Sequence, residues 1–483
     1  MAAKVMWGLL VMRLLRVLPA LALLTTFGTL ADPVQAASAN TTFSTPQYVD
    51  TTRAGGEPVM INTGSQGTLV YSSHQGLTHL YRGGIGSLGT AEFLTTDRSE
   101  VFVWTSSDGG ATWQFVNADD IGATCTVTVP CVGFSDPDLA RDSGGRTYGT
   151  GIDLVNDALF SSSDGGKTWN QGTANCHDGD RPWLAGGAAN QVFMATDTVE
   201  GALSHQVFVS NDGGSTCSLN GIPDTDGSTY SGDGKIQVDK TNGNLVEPAI
   251  FLDSSGNVNG VGVSVAGSYG APFVPHKAAA TTLFAHWPSL AIDAAGNYYL
   301  VWDTDERAAD GGGCNGTGTA LPNSVRLAIS SDRGMTWKQF TVARPGNARV
   351  LWPWVVAGDA GKASVVWYQR SNVLDPDCNM GSTFVEEAQV FGLGSSIRTV
   401  NASGRSIHEG SICQAGTDCV VNGKDRRLGD FFTNAIDLRG CVVIATGDTE
   451  LTDQLGNQLV TARPLFIRQI SGARLVGSGN CTT

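Results

Sequence analysis

The chain is 483 residues long, with 62 glycines, 11 tryptophans, 41% hydrophobic residues, only 16% charged ones and a formal net charge of -15. This composition excludes the low hydrophobicity and long charge runs of a disordered chain. The acidity argues against nucleic acid as a partner and disfavours an anionic membrane surface.

Residues 1–36 read as a secretory leader. Lys4, Arg13 and Arg16 precede an apolar run over 18–24, and Val34-Gln35-Ala36 offers a small-residue cleavage site. Thr25, Thr26, Gly28, Thr29, Asp32 and Pro33 cut the apolar run short of the roughly 20 residues of a membrane span. Cleavage after Ala36 removes three cations and one anion and takes the net charge from -15 to -17. No later segment is apolar and long enough to span a bilayer, and no linker divides residues 37–483. A single secreted domain is expected, extracellular or periplasmic, and monomeric.

All ten cysteines fall after the leader. An even number in an exported chain predicts disulfides rather than a metal site. Cys125–Cys131 and Cys413–Cys419 are natural short pairs, and local pairing would add Cys176–Cys217, Cys314–Cys378 and Cys441–Cys481. No pair has the C-x-x-C spacing of a zinc site.

An octapeptide in the frame S-x-D-x-G-x-T-W recurs at Ser106 to Trp113, Ser162 to Trp169, Ser210 to Cys217 and Ser330 to Trp337. Each copy follows an apolar, β-rich run and three precede another, the pattern of a hairpin turn. Asp108, Asp164, Asp212 and Asp332 can accept backbone N–H groups inside the turn, the glycines can take positive φ, and the tryptophan can fold back on the neighbouring hairpin. Where Cys217 replaces tryptophan, a bridge to Cys176 would supply the lost anchoring. These segments resemble the Asp-box, or bacterial neuraminidase repeat, of sialidases and other β-propellers. The resemblance implies blade hairpins whose boxes lie at the blade periphery with structural aspartates, and it specifies no activity.

A second repeat, an apolar run followed by a turn and another β-run, starts at Val59, Leu139, Leu184, Ile236, Leu290, Val355 and Ala435. The spacings bracket the ~40–50 residues of a four-stranded blade plus insertions. The expected fold is all-β, a β-propeller of four-stranded antiparallel blades. Seven blades is the count, with six, usual in sialidases, as the alternative. Residues 42–49 or 465–468 would complete the last sheet and close the ring, removing exposed edges.

In a propeller the loops entering the innermost strands gather round the central channel. Here they are Gly56-Glu57-Pro58, Ser135-Asp136-Pro137-Asp138, Asp180-Arg181-Pro182-Trp183, Gly232-Asp233-Gly234-Lys235, His286-Trp287-Pro288, Leu351-Trp352-Pro353-Trp354 and Leu428-Gly429-Asp430-Phe431. The prolines fix φ where the ladder has not begun. Glu57, Asp136, Asp180 and Asp430 are the candidate catalytic carboxylates, with Asp233 in the same ring, because a glycosidase pair and a calcium site both need acids converging on one cavity. Each could instead cap a neighbouring turn. His286, Trp287 and Trp352 are candidates for a sugar platform, with core packing the alternative for the tryptophans. No motif calls for a metal or cofactor. Calcium is the one ion that loop acids such as Asp303, Asp305, Glu306, Asp375 and Asp377 would suit, with solvated charge the plainer reading.

The resemblance to sialidases implies three arginines on the substrate carboxylate, a tyrosine nucleophile activated by a glutamate, and an aspartate acid/base. The family's first arginine sits in an Arg-Ile-Pro-like motif entering the first blade, where this chain has Gly56-Glu57-Pro58. A glutamate there would repel a carboxylate. Arg181, Arg426 and Arg427 could bring guanidinium forks from other blades, and Tyr368 is a nucleophile by residue type only. The expectation is a secreted, sialidase-like glycoside hydrolase acting on extracellular glycans or glycoconjugates. A non-catalytic propeller that binds glycan or protein on its channel face is the alternative.

Overall fold

A computed structural model of the chain describes residues 40–74, 79–81, 101–116, 135–153, 156–170, 173–198, 205–283, 287–304, 323–372, 377–378, 380–416 and 418–482. The leader over 1–36 and the positions of Cys125, Cys131, His286, Asp305, Glu306, Cys314 and Asp375 lie outside these residues.

The apolar runs separated by turns pair into seven four-stranded antiparallel blades. Blade 1 consists of Val59–Asn62, Leu69–His74, Val101–Ser106 and Gln114–Phe115. Blade 2 begins with Ser135–Arg141, Thr147–Asp153 and Asn156–Ser162. The long strand Thr173–Gly186 is shared between two blades. Its first half pairs with blade 2 as the outer strand, and its second half, from Gly179, pairs with Val192–Thr198 as the inner strand of blade 3. Blade 3 continues through His205–Ser210 and Ile222–Pro223.

Blade 4 has an inner strand broken at 233–236, with Tyr230–Gly232 and Gln237–Val238 both pairing with Leu245–Leu252. Blades 5 and 6 start at Ser289–Ile292 and Arg349–Ala357. Blade 7 takes Thr433–Ile436, Val442–Asp448 and Arg463–Ser471. Both ends of the chain complete this last sheet: Thr42–Phe43 and Gln47–Tyr48 pair with Arg463–Ser471 as its outer edge. Each inner strand packs beside the next, and blade 7 beside blade 1, so the ring is closed. All seven hairpin starts read from the sequence fall on inner hairpins.

The blades are buried on both faces, which is why their strands read as near-continuous apolar runs rather than alternating ones. Val101–Ser106 and Tyr298–Thr304 are buried along their whole length. Asp303, expected as a loop acid, lies within Tyr298–Thr304 and is buried, because its strand runs two residues further than the apolar pattern suggests.

The four octapeptides form equivalent turns. In the first, the Asp108 carboxylate accepts the Ser106 hydroxyl at 2.8 Å, the Thr112 amide at 2.9 Å and the Thr112 hydroxyl at 2.5 Å, while the Gly110 amide donates to Ser106 Oγ at 2.8 Å. The same bonds recur around Asp164, Asp212 and Asp332. In the first two turns the second glycine is pressed on the preceding blade. A Cβ on Gly110 would lie 2.3 Å from the Phe466 ring of blade 7, and one on Gly166 2.5 Å from Val70 of blade 1. Trp169 and Trp337 fold back and donate Nε1–H to the carbonyls of Gly166 and Gly334 at 2.9 and 2.8 Å. Cys217, in the tryptophan's place, is disulfide-bonded. Cys378 is disulfide-bonded as well. Cys413–Cys419 and Cys441–Cys481 are bridged as the local pairing predicted.

Candidate functional site

The entrances to the inner strands share a backbone device. Glu57, Asp136, Arg181 and Trp352, each directly before a proline, hold φ at 48°, 53°, 57° and 52°. A non-glycine residue in this left-handed region costs of order 1–3 kcal/mol and persists only where its surroundings over-determine it. In blades 2, 3 and 6 the strand register also shifts across this point, between Ser135 and Asp138, Asp180 and Trp183, and Leu351 and Trp354. A bulge re-aims a side chain. Here it turns the pre-proline residue out of the ladder.

Glu57 is fully buried and ties three blades together. Its Oε1 accepts the Asp430 amide of blade 7 at 3.0 Å, and its Oε2 accepts the Asp136 amide of blade 2 at 3.1 Å. His79 Nε2 lies 2.9 Å from Oε1, and the His79 ring stacks on His74 at 3.8 Å. Burial pushes both imidazoles well below their ordinary range. Gly429 has φ 77°, and a Cβ there would stand 2.2 Å from Glu57 Cγ. The Arg426 guanidinium bonds Asp430 at 2.7 Å and stands 3.9 Å from Glu57. Arg427 is buried in a bidentate pair with Asp425. Glu57 is therefore a positioning residue: it fixes the backbones that carry Asp136 and Asp430.

Asp136 is 7% exposed and accepts the Ser135 hydroxyl at 2.8 Å. Burial, then the charges of Glu57, Asp180 and Asp430, push its carboxyl well above the usual range. Beside it the surface opens. Asp180 is exposed, with Oδ1 accepting the Arg181 amide at 3.0 Å. The Arg181 side chain is 40% exposed, lies 3.7 Å from Asp197 and covers the Trp287 ring at 4.9 Å. Asp233, half-buried, is pushed up to about 6 by desolvation against the pull of Arg181. Asp138 is buried and committed to Lys235, 2.5 Å away, and to the Leu184 amide.

Below this rim an aromatic cluster fills the channel. Trp183, Trp287, Trp354 and Phe431, from four different blades, pack with ring centroids 5.1 to 6.1 Å apart. Trp287 is thus the floor under Arg181. Trp352 is 3% exposed and packs on Tyr368 in the core, so it offers no open face to a sugar. Tyr368 is buried and stacked on Phe432, and its hydroxyl is 2.7 Å from Thr446 Oγ1. Burial pushes that phenol up, the opposite of what a nucleophile needs. Among the described residues no triad of free guanidinium groups forms.

A second ionisable cluster was not foreseen. His205 Nδ1 bonds Asp224 at 2.7 Å, and its Nε2 lies 3.5 Å from Glu247 and 3.8 Å from Asp197. A signal for such residues did exist. In an antiparallel blade the second strand ends at the same face where the first begins, and the second strands of blades 1, 6 and 7 end on His74, Arg370 and Asp448, with Asp197 and Asp303 one residue from the ends of theirs.

No family model matches the chain, and neither does any curated protein. Among solved structures the propeller resembles a protein of unknown function from Dyadobacter fermentans (12% identity, TM-score 0.44, 89% of this chain and 98% of that one). It also resembles an ulvan lyase (12%, 0.44, 90% and 97%) and a sialidase of Trypanosoma rangeli (14%, 0.41, 75% and 56%). This chain therefore spans little more than half of that sialidase, and the likeness in each case is one of fold.

Proposed function

We propose that this chain is an exported enzyme that cleaves glycosidic bonds in extracellular glycans at the channel mouth, with Asp136 as proton donor. The observation that carries this reading is the placement of Asp136: a nearly buried carboxyl on a strained, bulged strand entrance, beside the solvent-facing Asp180, Arg181 and Asp197. A carboxyl pushed above its ordinary range by burial and neighbouring acids is suited to protonate a leaving-group oxygen, while a second, solvent-facing carboxylate serves the anomeric carbon or a water. Asp180 is assigned that second role. Arg181 is the guanidinium that receives an acidic sugar. Arg426 and Arg427 are bound to Asp430 and Asp425, so a sugar carboxylate meets one fork here rather than three. Glu57 and Asp430 support Asp136 from behind. The four Asp-box-like turns, the disulfides and the leader pattern support a secreted propeller. Among the described residues no helix is long and apolar enough to cross a membrane.

The test is sugar release by the secreted chain from a panel of sialosides, uronic and neutral glycosides, beside Asp136→Asn and Arg181→Ala. Loss of a general acid lowers kcat by about 100- to 10,000-fold, and removing Arg181 raises KM for acidic sugars more than for neutral ones. The total burial of Glu57 and the pairing of Arg426 favour a second reading, a propeller that binds glycan without turnover. Saturable binding with no release from any substrate would establish it.

A further inference from the structure

The cluster where blade 3 meets blade 4 has the makings of a metal site. We propose that His205 Nε2, Glu247 Oε1 and Asp197 Oδ1 bind a transition-metal dication of the zinc or manganese class, with Asp224 holding the imidazole from behind. His205 and Asp197 face each other across the paired strands His205–Ser210 and Val192–Thr198. Glu247 comes from Leu245–Leu252 of the next blade. The distances from Nε2, 3.5 Å to Glu247 and 3.8 Å to Asp197, approach the roughly 3.4 Å that separates ligands held about 2.1 Å from one tetrahedral ion. Asp224 accepts from Nδ1 at 2.7 Å. That is the carboxylate–histidine arrangement that fixes the tautomer and aims Nε2 at a metal.

Two features favour a cation at this cluster. Both oxygens of Glu247 and Oδ1 of Asp224 are buried, and what faces them is each other's carboxyl and, 3.5 Å from Glu247 Oε1, His205 Nε2. Glu247 and Asp224 face each other, an approach that a shared proton or a nearby metal ion relieves. The backbone also leaves room for the pair: a Cβ on Gly232 would stand 2.2 Å from Asp224 Oδ2. The ionisable groups facing the cluster are Asp197, Asp224, Asp233, Glu247 and Arg181, and against its desolvation the His205 imidazole itself is pushed up to about 9 by Asp224, so a metal would take the place of its Nε2 proton. A nitrogen ligand with two carboxylates suits zinc or manganese and not calcium, which takes oxygen. Asp197 is 46% exposed, so an ion here faces the mouth and keeps a solvent position.

This inference does not depend on glycan cleavage. The test uses the tag-free full chain, stripped by a chelator and dialysed against Zn2+, or against Co2+ as a spectroscopic probe. One equivalent of Zn2+ per chain is expected, with visible Co2+ bands that millimolar Ca2+ leaves in place. Asp224→Asn weakens binding by about 10- to 100-fold, and His205→Gln abolishes it. Asp197→Asn changes an exposed side chain and leaves the core intact, so it reports on the site even if His205→Gln fails to fold; a loss of at least tenfold is expected. Stoichiometric binding absent from the wild type, Co2+ displaced by Ca2+, or Asp197→Asn binding like the wild type would each overturn the assignment.

Discussion

Asp332, in the outer turn of blade 5, and Asp136, at the channel entrance of blade 2, are the same residue type in opposite surroundings. Asp332 faces solvent, and its donors come from its own octapeptide: the Thr336 hydroxyl and amide and the Ser330 hydroxyl hold its carboxyl at about 2. Asp136 is nearly buried, and most of what acts on it comes from other parts of the chain; burial, Glu57, Asp180 and Asp430 push it well above the usual range. Turn aspartates are thus fixed by hydrogen bonds within a few residues. Mouth aspartates are fixed by what the closing of the ring brings beside them.

If that contrast is right, the largest effect on stability comes from the hub that joins blades. Glu57→Ala leaves the buried Asp136 and Asp430 amides without their acceptor and removes the carboxyl 3.9 Å from Arg426, and breaking a buried polar hub of this kind costs about 3–5 kcal/mol. Urea unfolding should show it. An effect below 1 kcal/mol would mean that the strained entrances hold without Glu57.

Burial alone is isolated at Glu387 of blade 6. It is fully buried, accepts the Ser364 hydroxyl at 2.7 Å, and is pushed up to about 8. Its folded state holds a proton that the unfolded chain releases above its ordinary value of 4.5, so this contribution is complete below pH 4.5 and is lost as pH rises through about 8. Glu387→Gln should therefore stabilise the protein by roughly 3 kcal/mol at pH 7, with the gain vanishing near pH 4. A gain independent of pH would contradict the assigned titration.

At the periphery, Asp164→Ala removes the bonds to Ser162 and Thr168 from one turn and should cost about 1–2 kcal/mol by thermal or urea unfolding. It should leave any activity at the mouth unchanged. The smallest effect concerns acid. Because Asp332 is held below its ordinary value, its contribution is present above pH 3.8 and is lost as pH falls through about 2. Thr336→Val should lower the midpoint of unfolding slightly at pH 7, and the difference from wild type should shrink toward pH 2.

The blades were legible because their signals are local. S-x-D-x-G-x-T-W supplies the serine, threonine and amide donors that hold the aspartate of its turn, and the seven hairpin starts are each an apolar run followed by a turn. The rim was legible as a set of positions, since strand order alone puts the residues before each inner strand at the channel. Their roles were not. Glu57 looked like a catalytic acid, yet it is sealed under two backbone amides, and Trp352 looked like a sugar platform, yet it lies in the core.

By itself the sequence determined an all-β chain of repeated antiparallel blades and the peripheral turns, and it offered Cys413–Cys419 and Cys441–Cys481 as local pairs that the structure bridges, all products of interactions within a hairpin or its near neighbours. Only the tertiary structure decided which acids are sealed and which face solvent, that Trp183, Trp287, Trp354 and Phe431 fill the channel, and that His205 meets Glu247 across a blade boundary. Those outcomes rest on desolvation and on charges far apart in the chain, and neither exists until the ring has closed.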